Sequence, residues 1–211
     1  MGTERITGKT GLLALLGSPV GHSASPAMHN YSFDKLGLDY VYVAFDVPEE
    51  KVPDALNAVR TFHMRGVNVT MPDKIAAAKN VDELSPAAKI IGAVNTIVNE
   101  NGKLVGHITD GVGFNENLRD HGVEVKGKKI TVVGGGGAAT AIEVQSALDG
   151  AREISIFNRK DKFFSRIQET AGKIMAEVPD CKVNVIDLED REAFKREILD
   201  SDILVNATIV G

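Results

Sequence analysis

The run Asn68-Val-Thr-Met-Pro-Asp-Lys74 closes an apolar stretch, Gly66–Val69, with two hydrogen-bonding side chains, a proline and a lysine. If Gly66–Val69 is a strand, Asn68, Thr70 and Lys74 surround its mouth, a place suited to a small polyol. A lysine amine can take the proton of an alcohol that is losing hydride, provided its surroundings favour the neutral amine. Ser23, Ser25 and Asn95 complete a polar set at the expected ends of strands. Each residue also has a purely structural reading. Ser25 before Pro26, and Asp110 before Gly111, could cap helices. Asn95 could satisfy hairpin backbone, and Lys74 could be one more exposed lysine.

The second chemical feature is Gly134-Gly135-Gly136-Gly137-Ala138-Ala139, which follows the apolar run 129–133 and opens a helical pattern. It fits G-x-G-x-x-G/A in the strand–turn–helix context that dinucleotide binding needs. Glycines let the backbone approach a pyrophosphate, and the helix N-terminus presents free N–H groups to it. The structural alternative is a turn that merely packs helix on strand. About 20 residues on, where the next strand should read the ribose, stand Asn158, Arg159, Lys160 and Asp161. Arg159 could stack on adenine or pair with a 2′-phosphate, favouring NADP. Asp161 could accept from a free 2′-hydroxyl, favouring NAD. Lys160 and Lys162 read as solvated charges.

Strand–helix alternation must position these groups. Strands are expected at 12–16, 40–46 and 66–69, with helices at 25–36 and 52–62 and a short one after Pro72; this implies a parallel sheet. Apolar runs at 93–98 and 103–108 flank Asn99-Glu100-Asn101-Gly102, a hairpin signal. A helix over 110–121, closed by Gly122, is a natural connector. The alternation then restarts, with strands at 129–133, 153–157, 182–186 and 203–206 and helices at 138–148, 162–178 and 189–199. The expected fold is α/β in two domains. Residues 1–109 form a substrate-binding and catalytic domain, 110–124 a linker helix, and 125–211 a Rossmann-type doubly wound parallel sheet. The chain stops at Gly211, directly after its last strand, so this sheet reads as cut short.

The 211 residues are 43% hydrophobic and 25% charged, ordinary globular usage that supports a sizeable core. A net charge of −5 argues against nucleic acid and anionic membranes as partners. Cys181 is the single cysteine, so no internal disulfide can form, and no Cys/His spacing suggests zinc. A reducing, cytoplasmic setting fits. The apolar run 12–16 is too short to span a membrane.

Taken together, the motifs resemble the shikimate dehydrogenase family. The matching segments are Gly-Ser-Pro-Val-Gly-His-Ser-Ala-Ser-Pro (17–26), Asn-Val-Thr-Met-Pro-Asp-Lys (68–74), Gly-Ala-Val-Asn-Thr (92–96), Thr-Asp-Gly-Val-Gly (109–113), the glycine turn and Asn-Ala-Thr (206–208). The run 157–164 resembles the quinate/shikimate dehydrogenase branch, where an acidic residue after Asn-Arg admits NAD as well as NADP. The resemblance implies that Ser23 and Ser25 hold a substrate carboxylate, and that Asn68, Thr70, Asn95 and Asp110 bind ring hydroxyls. Lys74 would be the acid/base, with Asp110 beside it. Gly134, Gly135, Gly136, Gly137, Ala138, Ala139, Asn158, Arg159, Asp161 and Thr208 would hold the cofactor, NADP or NAD. The substrate would be shikimate or quinate, the protein a monomer or homodimer, and no metal is needed. A non-catalytic shikimate or quinate sensor on the same scaffold is the alternative.

Departures from the family pattern are local. Asp73 stands where histidine or asparagine is common, and its carboxylate would either favour the ammonium of Lys74 or point to solvent. Ile108 replaces an asparagine, Gly135 an alanine, and Thr140 an arginine common in members that prefer NADP.

Overall fold

The computed structural model describes residues 6–161 and 163–208. They form two compact units that divide between Ile108 and Thr109.

In the first unit, β1 (Gly11–Gly17), β2 (Tyr40–Asp46) and β3 (Gly66–Val69) pair in parallel through the central β1. Crossovers through α1 (Ser25–Leu36) and α2 (Val52–Thr61) make this possible. Pro lies in the first turn of α1, and Gly37, in the left-handed region at φ 65°, ends it. After β3 come α3 (Lys74–Ala78), β4 (Glu83–Leu84), α4 (Pro86–Ile91), β5 (Thr96–Glu100) and β6 (Lys103–His107). The sheet order is β2-β1-β3-β5-β6-β4.

The sheet is therefore mixed: β5 runs antiparallel to β6, as the hairpin signal indicates, and also to β3, where a parallel sheet was expected. Close approach at this change of direction requires glycine, since a Cβ on Gly66 would lie 2.4 Å from the carbonyl oxygen of Ile97. The hairpin is tighter than expected. Asn99 and Glu100 belong to β5, leaving a two-residue turn at Asn101 (φ 56°) and Gly102 (φ 98°). Positive φ at both positions matches the twist of the flanking strands. Asn99 is buried, donating to Met64 O at 2.9 Å and Val59 O at 3.3 Å and accepting from Gly102 N–H at 2.7 Å. One core cluster gathers Leu15, Val20 and Tyr42 with Leu13, Phe33 and Ala44.

The second unit holds α5 (Asp110–Asp120), β7 (Lys129–Val133), α6 (Gly137–Leu148), β8 (Glu153–Asn158), α7 (Phe164–Glu177), β9 (Lys182–Asp187), α8 (Arg191–Asp200) and β10 (Ile203–Asn206). All pairs are parallel, in the order β10-β7-β8-β9. This is the doubly wound order, and its direction of winding reverses between β7 and β10. Ile130, Val132, Ile154, Ile156 and Phe157 are fully buried, as expected of strands covered on both faces.

The helix expected as a linker belongs to this unit. A Cβ on Gly111 would lie 2.1 Å from Ala141 O, so α5 meets α6 at backbone distance. Asn115 fixes the contact, donating to Asp149 at 2.7 Å and accepting from Ser146 at 3.1 Å. At the amino end of β7 the buried Lys129 ammonium meets Asp200 at 2.6 Å and Glu197 at 2.9 Å. Among the described residues, no helix is long and apolar enough to cross a membrane.

Candidate active site

Two groups of residues with chemical potential stand out, one in each unit. In the first unit, β1 and β3 run side by side with Leu15 opposite Asn68 and Leu16 opposite Val69, so their carboxyl ends open together. The chain beyond them is stitched by backbone: Thr70 N–H donates to Leu16 O at 2.9 Å, and Ser18 N–H to Met71 O at 3.3 Å. A cavity of about 440 Å³ opens here, lined by Ser18, Val20, Ser23, Ser25, Thr70 and Met71 among others. That volume falls within the range of small-molecule pockets. It unites Ser23 and Ser25 with Thr70, which lies 45 residues beyond Ser25 in the sequence.

Asn68 anchors a polar network beside them. Its side-chain oxygen accepts from Tyr42 Oη at 2.8 Å, and its amide donates to Thr96 Oγ1 at 3.1 Å and Asn95 O at 3.3 Å. Thr96 Oγ1 donates in turn to Asn95 Oδ1 at 3.0 Å. Burial pushes the Tyr42 phenol up to about 12, so it remains a donor across the physiological range. His29 stacks on the Tyr42 ring at 4.3 Å. Lys74 opens α3, and its carbonyl accepts from Val94 N–H at 3.0 Å, which ties it to the residue before Asn95. Tyr42 and Thr96 were not singled out from sequence. Thr96 lay inside a quoted motif, whereas Tyr42 becomes a partner only once β2, β1 and β3 are in register.

The capping readings of Ser25 and Asp110 do not hold. Ala24 is the N-cap of α1, and Ser25 is the first helical residue. The local acceptor is Ser23, whose Oγ takes the Ser25 N–H at 3.2 Å. Thr109 is the N-cap of α5 and Asp110 its first residue, exposed in the second unit. Neither residue is the N-cap of its helix.

Asp73 does not point to solvent. Its side chain is fully buried, and neither carboxylate oxygen has a hydrogen-bond partner among the described residues. Burial raises its pKa, and the nearby negative charges of Glu49, Asp46 and Glu50 raise it further. The expected carboxylate next to Lys74 is thus pushed toward the neutral acid.

In the second unit the glycine turn leaves β7 at the reversal point. Gly134 has φ 110°, and a Cβ there would sit 2.9 Å from Ala207 O. The same Cβ would come within 3.4 Å of the Thr208 methyl, so the turn and the Asn-Ala-Thr segment are neighbours. Thr208 is held by Asn206 Oδ1, which accepts from its hydroxyl at 2.7 Å and its N–H at 3.1 Å. Gly135 packs against Ile167 and faces Asn158 Oδ1, while a Cβ on Gly136 or Gly137 would meet nothing within 4 Å. That open side lies at the N-terminus of α6, where Gly136 is the N-cap without a side-chain acceptor. Ala138 and Ala139 form the first turn and add no side-chain bulk. The cradle fits a pyrophosphate.

Asn158 ends β8 and donates to Arg159 O at 2.8 Å. Asp161 Oδ1 accepts from Phe163 N–H at 2.8 Å and from the Asn158 amide at 3.5 Å. Lys160, read as a solvated charge, reaches Asp187 at 3.3 Å while remaining largely exposed. Lys162 lies outside the described residues. One group went unnoticed in the sequence: Glu143 on α6 is fully buried, with Oε1 unpartnered, and burial pushes its carboxyl up to about 8. Among the described residues, no three His, Cys, Asp or Glu side chains come together as a metal site.

The family model for the shikimate dehydrogenase substrate-binding domain matches residues 15–97. A shikimate dehydrogenase (NADP(+)) of Listeria monocytogenes serotype 4b is 52% identical over 209 residues, covering 99% of this chain and 72% of that protein. A crystal structure of shikimate 5-dehydrogenase from Listeria monocytogenes, in complex with shikimate and NAD, superposes with a TM-score of 0.93 at 52% identity. It covers 98% of this chain, which spans 71% of it. Quinate dehydrogenase from Corynebacterium glutamicum, in complex with NAD, gives a TM-score of 0.79 at 30% identity, over 94% of this chain and 71% of that one. This chain belongs to the shikimate dehydrogenase family.

Proposed function

We propose that this chain is an NAD(P)-dependent dehydrogenase that interconverts 3-dehydroshikimate and shikimate in aromatic amino-acid biosynthesis, with quinate and 3-dehydroquinate as a second pair. The observation that carries this reading is the polar end of β3. There the Tyr42–Asn68–Thr96–Asn95 network and the Ser23–Ser25–Thr70 cavity are built in a chain that also carries a dinucleotide cradle.

The roles are those the family resemblance implies, and donor and acceptor chemistry is compatible with them. Ser23 and Ser25 offer hydroxyl donors to the acid's carboxylate. Asn68, Thr70, Asn95 and Asp110 bind ring hydroxyls. The Tyr42 phenol fixes the Asn68 amide so that its orientation is set before substrate arrives. When bound, the nicotinamide accepts or returns the hydride. As the alcohol is oxidised, the Lys74 amine takes the hydroxyl proton, and in reverse its ammonium donates to the forming alkoxide. A cation at that position stabilises the developing negative oxygen without a metal. Gly134 to Ala139 would hold the pyrophosphate, with Asn158, Arg159, Asp161 and Thr208 around the remaining cofactor.

The relatives bear dehydrogenase names and give no support to a non-catalytic sensor. We place the protein in the cytoplasm, as a monomer or homodimer. An absorbance assay for reduced nicotinamide, run with shikimate and quinate against NAD and NADP, tests the proposal. Turnover with shikimate is expected. Tight binding of either acid with no absorbance change under any pairing would return the sensor reading.

A further inference from the structure

The hydrogen bonds at the end of β3 run in one direction, and a backbone carbonyl fixes it. Asn95 O can only accept, and it takes Val69 N–H at 2.8 Å and the Asn68 amide at 3.3 Å. The Asn68 side chain must therefore turn Nδ2 toward Asn95 and Oδ1 toward Tyr42. Asn68 and Thr96 stand directly opposite each other across β3 and β5. There the Asn68 amide also meets Thr96 Oγ1, at 3.1 Å. A threonine hydroxyl has a single proton. Because Thr96 accepts from Asn68, that proton goes to Asn95 Oδ1, 3.0 Å away.

We propose that Thr96 is a positioning residue for the substrate: it hands the hydrogen-bond direction set at Asn68 on to Asn95, so that Asn95 meets the substrate as a donor and Asn68 meets it as an acceptor. The assignment rests on the dehydrogenase reading above and adds Thr96 and a polarity to it.

The capacity of each group carries the assignment. Asn68 Nδ2 has two protons, matched by Asn95 O and Thr96 Oγ1. Its Oδ1 has two lone pairs, and Tyr42 Oη occupies one at 2.8 Å. What Asn68 keeps for a ligand is a lone pair, so the group it meets must carry a proton. A ketone carries none. The hydroxyl read by Asn68 is therefore one that stays a hydroxyl in both substrate and product. Asn95 has the opposite character. With Oδ1 turned to Thr96, its donating end is Nδ2, which suits an alcohol oxygen and a carbonyl oxygen alike. The Thr96 proton holds the oxygen end of the Asn95 amide; a valine there, of nearly the same shape, has no proton to give.

The test is calorimetric binding of shikimate to the full chain, to Thr96→Val, Thr96→Ser and Asn95→Ala, and to the Thr96→Val/Asn95→Ala double variant. Thr96→Val should weaken shikimate about fivefold, the scale of one hydrogen bond. Thr96→Ser keeps the hydroxyl and should bind within about twofold of wild type. In the Asn95→Ala background Thr96→Val should have little further effect, because Thr96 acts through Asn95. If Thr96→Val does not fold, Thr96→Ala removes the same hydroxyl with less bulk. A second measurement reads the direction of the network. Asn68→Ala should weaken shikimate and 3-dehydroshikimate by the same factor, within about twofold. Effects of Thr96→Val and Asn95→Ala that add in full overturn the assignment, as does a Thr96→Ser chain that behaves like Thr96→Val. A loss confined to shikimate in Asn68→Ala also overturns it, because that puts Asn68 on the reacting oxygen. Turnover is read separately. Coupled binding in a chain inactive toward both acids keeps this inference and sinks the dehydrogenase reading, and turnover with additive effects does the reverse. A wild-type chain that binds no shikimate overturns both.

Discussion

The polar cluster at the end of β3 and the glycine turn at the end of β7 both occupy the carboxyl end of a parallel strand, but they are made of different material. The glycine turn is backbone. What matters there is the absence of side chains at Gly136 and Gly137, the positive φ of Gly134, and the free first turn of α6. The β3 cluster is side chain. Asn68 takes its partners from β2 and from the start of β5, and Thr70 shares a cavity with Ser23 and Ser25. A backbone site is specified locally and tolerates change elsewhere. A side-chain site depends on the register of several strands and is sensitive to each of them. The two also differ in how buried charge is handled. At the base of β7, Lys129 is surrounded by carboxylates that satisfy it, whereas Asp73 next to Lys74 is buried without any partner among the described residues.

That contrast can be broken at its strongest point first. Removing the Lys129 ammonium takes the 2.9 Å cation from the largely buried Glu197, which keeps only Ser155 Oγ at 2.8 Å and Arg196 at 3.6 Å. Lys129→Ala should therefore cost about 3 kcal/mol in denaturant unfolding. Hydrogen exchange should show the loss in β7 and β8, with β1 to β3 unaffected. Gly134→Val comes next. It forces a β-branched residue to φ 110° and drives a Cβ toward Ala207 O. A cost of about 2 kcal/mol is expected, with a raised KM for the cofactor and an unchanged affinity for shikimate. Tyr42→Phe deletes one hydrogen bond to Asn68, worth about 1 kcal/mol. It should raise KM for shikimate several-fold and leave cofactor affinity alone. Equal effects of Gly134→Val and Tyr42→Phe on the two ligands would erase the distinction between the sites.

A pH-dependent effect sharpens the charge comparison. Glu143 has an ordinary pKa of 4.5 when exposed and about 8 in the fold. Below pH 4.5 it is protonated in both states and costs nothing. As pH rises toward 8 the unfolded chain gives up a proton that the folded chain retains, so stability falls. Glu143→Gln should therefore gain stability over the wild type through that window and hold the gain above it. Melting temperatures at pH 5, 7 and 9 check the sign. A difference independent of pH would mean that Glu143 finds a partner in solution.

The same contrast explains what could be read from the sequence. Strands β3, β7 and β10 have the bounds that their apolar runs indicate, and the glycine turn was legible with its strand and helix. The missed α4 is six residues long, too short to show a helical period, although Ser85, Pro86 and Gly92 mark its ends by capping. The antiparallel pairing of β5 with β6 was legible in the Asn-Gly hairpin signal, whereas its pairing with β3 was hidden because apolar alternation does not encode strand direction. The hairpin turn was drawn too long because Asn99 is a turn-type residue whose side chain is used inside the fold instead. Burial of Asp73 was equally invisible, since a single charged residue after proline gives no periodic signal. The motif that carried the family resemblance named Asn68, Thr70 and Lys74. The partners that fix Asn68 needed the folded register.

The central claim is that Lys74 moves the proton at a polyol site. The direct measurement is kcat for shikimate oxidation by Lys74→Ala, paired with calorimetric binding of shikimate to the same variant. A fall of about 10³-fold or more in kcat is expected, with shikimate affinity within a few-fold of wild type. Turnover close to that of the wild-type chain, with binding intact, would contradict the account.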